Sequence, residues 1–434
     1  VRTDRRGFLG LVAGGAFGAL GVPARVRSAP AESPLEIHRI TRNTRTGAIG
    51  RRLLAWSARP PGAKRYPGAA RVALPGDAPG TSRPLAATVR DFAPATAFVD
   101  RELPLPSLAR LLHQTNGVTS EPGAVPLRAA PSAGALYAGE VYVAAEGVAG
   151  LAPGLYHFDA LGRELVRLRE GPPLAAVGAA LEEPDRLRGA AFAVLLTNVF
   201  ARYGARYANR GYRYALIDTG HIAENLRLAA AAEGLGEAGF TRFEDERLGA
   251  LLGIEGAAEA VCFVSAVGAP VAGARGERAA VRRLVERDPP AALAPGRSVL
   301  RYHRASGLVR SAGDPARLAP RAEPPPELAG DPLPARPDPA PSVEAAIRAR
   351  RSPLAFLPEA ISGADLGFVL AMARAGAPLE RAPGVELYAI AHRVAGVAPG
   401  LYASDGRGLA LRRAGDLREA LADACLGQDK AALA

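Results

Sequence analysis

One stretch of this chain occurs twice, and that constrains the fold more than any other feature. EVYVAAEGVAGLAPGLYHFD, starting at Glu140, aligns without a gap on ELYAIAHRVAGVAPGLYASD, starting at Glu386, with twelve of twenty positions identical. Each copy reads as a short alternating strand, a Pro-Gly turn and a second short strand. In the first copy Val141 and Val143 fall on one face and Tyr142 on the other, and Leu155-Tyr156 lead the second strand. Only the first copy is preceded by the loop Pro131-Ser132-Ala133-Gly134-Ala135. Gly134 lacks a Cβ, so backbone N–H groups there can approach a flat or anionic ligand closely. A site is expected to begin at this loop.

A chain of 434 residues has room for two domains, and 48% hydrophobic content suffices for a sizeable core. The formal charge is +11, yet among 54 basic residues only Lys64 and Lys430 are lysines. With abundant Ala, Gly and Pro, this reads as the codon bias of a GC-rich genome. No basic helix with interleaved aromatics accompanies the charge, so nucleic acid is not an expected partner. Cys262 and Cys425 stand far apart without neighbours at metal-ligand spacing, which argues against a disulfide framework or a zinc site.

Residues 1–31 read as a twin-arginine signal: Thr3-Asp4-Arg5-Arg6-Gly7-Phe8-Leu9, a Gly- and Ala-rich apolar run to Val22, then Ala29-Pro30-Ala31. The run is too short and too glycine-rich for a stable membrane span. The expectation is export to the periplasm or the extracellular space, with no span after processing. That route carries folded proteins, often with a cofactor already inserted.

Residues 32–100, rich in Arg, Pro and Ala, read as an extended arm. Ser107 is placed as the cap of a helix whose Leu108, Leu111 and Leu112 share one face, ending near Asn116-Gly117. Ala190 to Val199 is an apolar run suited to a strand covered on both faces. Arg213 to Glu233 is predicted to be a largely buried central helix on which Asp218, His221 and Asn225 share a polar stripe, best explained by hydrogen bonding between elements. Gly234-Leu235-Gly236-Glu237-Ala238-Gly239 matches a dinucleotide fingerprint, but the glycines follow a helix instead of opening one, so they are read as its end. Ala260 to Val267 is the last strand of the unit. Residues 273–340 read as a Pro/Ala/Arg-rich linker, with a short helix around Val281 to Arg287. The second unit, 341–434, opens with a helix capped by Ser342, with Arg350-Arg351-Ser352 near its end, and continues through a helix from Leu366 to Met372. It has no counterpart of the central helix.

Taken together, PSAGALYxxEVYV, GLxPGLYHFD, RYxxRGYRYALIDxGHIxxNLxLAAxxxGLG and a closing strand ending in VGxP resemble the nitroreductase family. Within it they are similar to the SagB-type dehydrogenase branch, which includes peptide azoline oxidases. The likeness runs over Leu103 to Pro270 and more weakly over Ser342 to Ala434. It implies an α+β fold with a central sheet flanked by helices, here a tandem duplication with an incomplete second copy: domain 1 at 101–272 and a partial domain 2 at 341–434. It implies FMN held between two protomers or two fused copies, hence a homodimer or an intrachain pseudo-dimer. By the same resemblance Arg128, Pro131, Ser132, Ala133 and Gly134 contact FMN, Leu235 and Gly236 lie near the isoalloxazine edge, and Arg350, Arg351 and Ser352 meet the phosphate, where an arginine fork matches charge and geometry.

Azoline-oxidising members carry a Lys-Tyr pair before the central helix, and the pair here is Arg206-Tyr207. Arginine keeps its proton at ordinary pH, so Arg206 can hold charge or substrate but cannot serve as a base. Tyr207 remains the candidate acid or base. Ala138-Gly139 stands where the branch often shows Pro-Val. The expectation is an FMN-dependent oxidoreductase acting on a small-molecule or peptide substrate. The alternative is a degenerate, non-catalytic flavin-binding or scaffold protein. A hydrolase built on Ser132, His221 and Asp218 lacks the G-x-S-x-G elbow, and a metal site from His221 and Glu224 lacks further ligands.

Overall fold

A computed structural model describes residues 41, 62–76, 83–121, 123, 125–254, 258–271, 331–334, 337, 341–353, 355–376 and 387–425. The first half runs β1 (Arg71–Ala73), α1 (Leu85–Asp91), β2 (Phe98–Val99), β3 (Leu103–Pro104), α2 (Leu105–Asn116), β4 (Val118–Ser120), β5 (Leu127–Arg128), β6 (Gly139–Ala145), β7 (Val148–Ala149), β8 (Gly154–Asp159), β9 (Glu164–Glu170), α3 (Leu174–Gly178), β10 (Phe192–Val199), α4 (Phe200–Tyr207), α5 (Gly211–Ala232), β11 (Gly236–Phe240), α6 (Asp245–Leu252) and β12 (Glu259–Pro270). The second half adds β13 (Asp331–Pro332), α7 (Val343–Ala349), β14 (Ile361–Ser362), α8 (Gly363–Gly376), β15 (Leu387–Ala391), β16 (Val394–Ala395), β17 (Gly400–Ser404), β18 (Gly408–Ala414) and α9 (Arg418–Ala424).

The main sheet has the order β1-β9-β8-β6-β10-β12-β11, with antiparallel neighbours throughout. Inside it, between β6 and β12, runs β10, the apolar run expected to be covered on both sides. Leu195 and Leu196 are both 0% exposed and point to opposite faces, into two separate core clusters. Burying each is worth about 1.5–3 kcal/mol. On one face Val141, Val143, Leu196 and Tyr156 pack with Ile222 and Leu226 of α5 and with Leu108, Leu111 and Leu112 of α2. On the other, Tyr142, Ala144 and Leu195 pack with Leu174 and Val177 of α3 and Leu248 of α6. The period-two alternation of the sequence thus becomes two layers of helices around one sheet. The long central helix α5 ends where expected. Gly234 takes a left-handed φ of 72° and Leu235 N–H reaches back to Ala230 O at 2.9 Å, so the glycines close a helix and pass directly into β11.

Several expectations need correction. Residues 32–100 are not simply an arm: β1 pairs with β9, α1 packs against α5, and β2 extends β12. These elements are two to seven residues long, too short to show a periodicity. Helix α2 starts at Leu105 behind Pro104, not at Ser107. Pro106 fits its first turn, where a missing N–H costs nothing, and the Ser107 hydroxyl accepts from the Arg110 guanidinium at 3.0 Å instead of capping backbone. The second half begins inside the expected linker, because β13 pairs with β18. Ser342 does cap α7, accepting Ala345 N–H at 3.2 Å. The signal segment 1–31 and the helix expected near Val281 lie outside the described residues. Among the described residues no helix is long and apolar enough to cross a membrane.

Candidate functional site

At the end of β10 the chain turns into α4 and then α5, and these two helices grip the loop at 131–137. Asp218, buried on α5, accepts the Ala133 N–H at 3.1 Å and the Tyr203 hydroxyl. Ser132 Oγ accepts the Tyr137 N–H at 2.9 Å and lies 3.3 Å from Tyr203 Oη. The loop is therefore fastened from beneath, and the Ala133 N–H is committed to Asp218 instead of facing outward. Tyr203 and Tyr137 were not singled out from the sequence. The available signal was Tyr203 standing one helical turn before Tyr207.

The backbone here is unusual. Among the described residues the non-glycine positions with positive φ are Ala135 (52°), Tyr137 (46°), Arg163 (54°) and Ala208 (47°), and all but Arg163 border this loop or Tyr207. Such conformations cost about 1–2 kcal/mol each and concentrate where a ligand is held. Gly134 has φ 63°, and a Cβ there would collide with the Tyr207 phenol oxygen and lie 3.0 Å from Arg206 Nη1. The sequence-predicted loop and the sequence-predicted Arg206-Tyr207 pair are thus brought together.

Arg128 completes one side. It is 6% exposed, its backbone N–H donates to Tyr137 Oη at 3.3 Å, and its guanidinium lies 5.3 Å over the Tyr137 ring. That guanidinium makes no hydrogen bond or ion pair among the described residues. Burial holds it below its ordinary pKa, with the Glu140 charge partly restoring it. Glu140 is itself engaged by Arg202 at 2.6 Å and His157 at 2.9 Å. From the second half Arg350 donates to Arg128 O and Ala129 O, both at 3.2 Å. Arg351 and Ser352 do not reach the loop: both are exposed, and the Arg351 guanidinium instead closes the end of α7 through Arg348 O (2.7 Å) and Arg350 O (2.8 Å).

Leu235 and Gly236 lie beyond the far end of α5, about 20 Å along the helix from Asp218. The Leu235 N–H is used in closing the helix, and a Cβ on Gly236 would press on Ala95, Pro270 and Phe98 at 3.0–3.2 Å. The polar stripe of α5 divides. Asp218 holds the loop, Asn225 donates to Thr115 O at 3.4 Å, and His221 is exposed. Among the described residues no His, Cys, Asp and Glu group is arranged to hold a metal, and Cys262 and Cys425 are unpaired.

Two titrations matter chemically. Burial raises the Tyr207 phenol, with Arg206 opposing, so Tyr207 is a proton donor at neutral pH and not a base. Burial also raises the Asp218 carboxyl despite its hydrogen bonds from Ser132, Tyr203 and Ala133. An acid raised on folding favours the fold below the unfolded carboxylate pKa of about 4 and loses that contribution as pH climbs through the folded value. Asp218→Asn, which keeps an acceptor oxygen, is therefore expected to gain thermal stability relative to the parent as pH rises from 4 to 8. Melting curves that stay parallel across that range would contradict the raised carboxyl.

Residues 95–269 match the model of the nitroreductase family. A Methanocaldococcus jannaschii protein provisionally named a nitroreductase is 29% identical over 158 residues, covering 36% of this chain and 78% of that protein. A crystal structure of a provisionally assigned nitroreductase from Anabaena variabilis superposes with a TM-score of 0.70 at 24% identity, covering 92% of this chain and 82% of that one. Another, from Ralstonia eutropha, gives 0.40 at 20% identity, over 57% of this chain and 99% of that one. The segment 95–269 thus matches the nitroreductase family, and the fold of the chain is nitroreductase-like.

Proposed function

We infer that the chain is an FMN-dependent oxidoreductase of the SagB-type dehydrogenase kind, acting on a small-molecule or peptide substrate. One observation carries the reading: Arg128 is a buried residue, its guanidinium makes no hydrogen bond or ion pair among the described residues, and the Glu140 carboxylate whose charge it feels is already engaged by Arg202 and His157. A buried cation without a partner is costly, and a phosphate supplies both the charge and the acceptor geometry. The surroundings fit such a group. Arg350 adds a second guanidinium, and Gly134 gives a wall without a Cβ beside Tyr207. Arg128, Arg350 and the loop Pro131–Gly134 would hold FMN. When bound, FMN supplies hydride transfer at its N5. Asp218, Tyr203 and Ser132 hold the loop in register, Tyr207 offers a protonated phenol at its edge, and Arg206 supplies fixed positive charge.

The test is a visible spectrum of the protein expressed without residues 1–31, with mass identification of what heating releases. Flavin bands and released FMN are expected. Arg128→Ala should weaken FMN affinity by about 10- to 100-fold, the equivalent of a charge-assisted contact of about 1.5–3 kcal/mol. A colourless parent that takes up no added FMN would sink the reading. Arg206 in the place of a lysine favours one other reading, a flavin binder without turnover. Flavin that binds but is never reduced by any donor would select it.

A further inference from the structure

The two halves meet at equivalent positions in an approximately two-fold arrangement. Pro84 and Ser342, each just before a seven-residue helix, form an antiparallel bridge. Around it Leu85 N–H donates to Pro341 O and Val343 N–H donates to Arg83 O, both at 3.1 Å. Equivalent residues bonding reciprocally to each other define an isologous contact, and the axis passes between Pro84 and Ser342. The packing repeats this reciprocity. Helix α1 lies on α8, α7 lies on α2, and Leu85 and Val89 share a cluster with Val343 and Ile347.

The correspondence continues into both sheets. Strands β3 and β7 pair in parallel, as do β14 and β16. The β8–β9 ladder slips between Leu155 and Tyr156, and β17–β18 slips between Leu401 and Tyr402. Tyr156 Oη donates to Ala152 O at 2.5 Å, and Tyr402 Oη donates to Ala398 O at 2.7 Å. The edge strand β1 on β9 has its equivalent in β13 on β18.

A symmetric pair of halves would carry two equivalent sites, but the residues at the two are not alike. Arg350, the residue closing α7, reaches the Arg128 and Ala129 carbonyls across the axis, and its Nη1 makes no hydrogen bond among the described residues. The residue closing α1 is Phe92, whose ring instead lies 4.2 Å beneath the Arg227 guanidinium of its own half. Beyond it stand Ala93 and Pro94, against Arg351 and Ser352. The connector from helix to sheet strand, 117–138 in the first half, is about half as long in the second, 377–386, and its sequence APLERAPGVE contains no serine and no Pro-Ser-Ala-Gly.

We propose that, of the two equivalent flavin sites such a pair of halves would carry, this chain forms one, built from the Arg128 loop of the first half and Arg350 of the second, and that the symmetry-related position binds no flavin. This rests on the flavin reading above. Each half supplies what the other lacks. The first has the Pro131–Gly134 loop but Phe92 where the second has Arg350, and the second has that arginine but no Pro-Ser-Ala-Gly sequence before its strand.

The experiment is an FMN titration followed by flavin fluorescence, with the mass of the particle fixed by light scattering, on the parent, Arg350→Ala and Phe92→Leu. One FMN per chain is expected. Arg350→Ala should weaken binding about tenfold or more, and Phe92→Leu should match the parent. Two FMN per chain, or equal losses in both variants, overturns the proposal. If no variant binds FMN, the flavin reading fails, and thermal stabilisation by inorganic pyrophosphate decides the rest. Stabilisation of the parent and Phe92→Leu but not of Arg350→Ala keeps a single composite anion site. No stabilisation, or equal loss in both variants, removes that as well.

Discussion

Replacing Gly134 with alanine is expected to lower FMN affinity more than tenfold while leaving the fold intact. Two costs add at this position. The φ of 63° penalises a Cβ by about 1–2 kcal/mol, and the added carbon has no space, because it meets the Tyr207 phenol oxygen and comes within 3.0 Å of Arg206 Nη1. Tyr207 cannot simply swing aside, since its ring is packed edge-on against Tyr214 at 4.7 Å between centroids. The loop must yield instead, and with it the Ala133 contact to Asp218 and the Ser132 contact to Tyr137. Gly134 itself is exposed and outside the main sheet, so the damage stays local. Gly150 is the control: its φ is 83° and no atom lies within 4 Å of its Cβ position, so Gly150→Ala bears the backbone cost without the collision. Unchanged FMN binding by Gly134→Ala would show that this loop does not form a wall of the flavin site.

What the sequence disclosed follows from how strongly each feature is encoded locally. The run that became β10 was legible because eight consecutive residues had to suit burial on both faces, and the end of α5 was legible because Gly234 needs a left-handed turn. The loop, Asp218, Tyr207 and Arg350 were identified by pattern, and they do converge in space. What was not legible depends on partners distant in the chain. Nothing in Leu85–Asp91 announces a helix until α5 and α8 supply surfaces for Val89 and Leu85. Lys64 and Tyr66 look like arm residues, yet Lys64 donates to Tyr142 Oη at 2.6 Å and pairs with Glu259, sealing the end of the sheet. Arg350 and Arg351 are adjacent and chemically identical. Only the three-dimensional path of α7 turns the first toward Arg128 and leaves the second closing its own helix.

Glu140→Ala is expected to be the most destabilising single change of those considered, by about 3–5 kcal/mol, because it takes the carboxylate away from a buried guanidinium that also donates to the neutral Tyr137 carbonyl. Glu140 and Arg202 are 4% and 3% exposed at their side chains and 2.6 Å apart, and the second carboxylate oxygen faces His157 Nε2 at 2.9 Å. Burial pushes the Glu140 carboxyl up, but the His157 hydrogen bond and the Arg202 and Arg128 charges outweigh it and hold the group below its ordinary range. An acid depressed on folding contributes stability that is complete above the unfolded glutamate pKa of about 4.3 and disappears as pH falls through the lower folded value. The gap between parent and Glu140→Ala should therefore be full at neutral pH and narrow steadily below pH 4. Glu140→Gln keeps the shape and one acceptor but not the charge, and should fall between them at neutral pH. Chemical denaturation from pH 3 to 8 measures all three. If the gap is constant across that range, the carboxylate charge is not what holds this end of the sheet, and the loss in Glu140→Ala must come from packing alone.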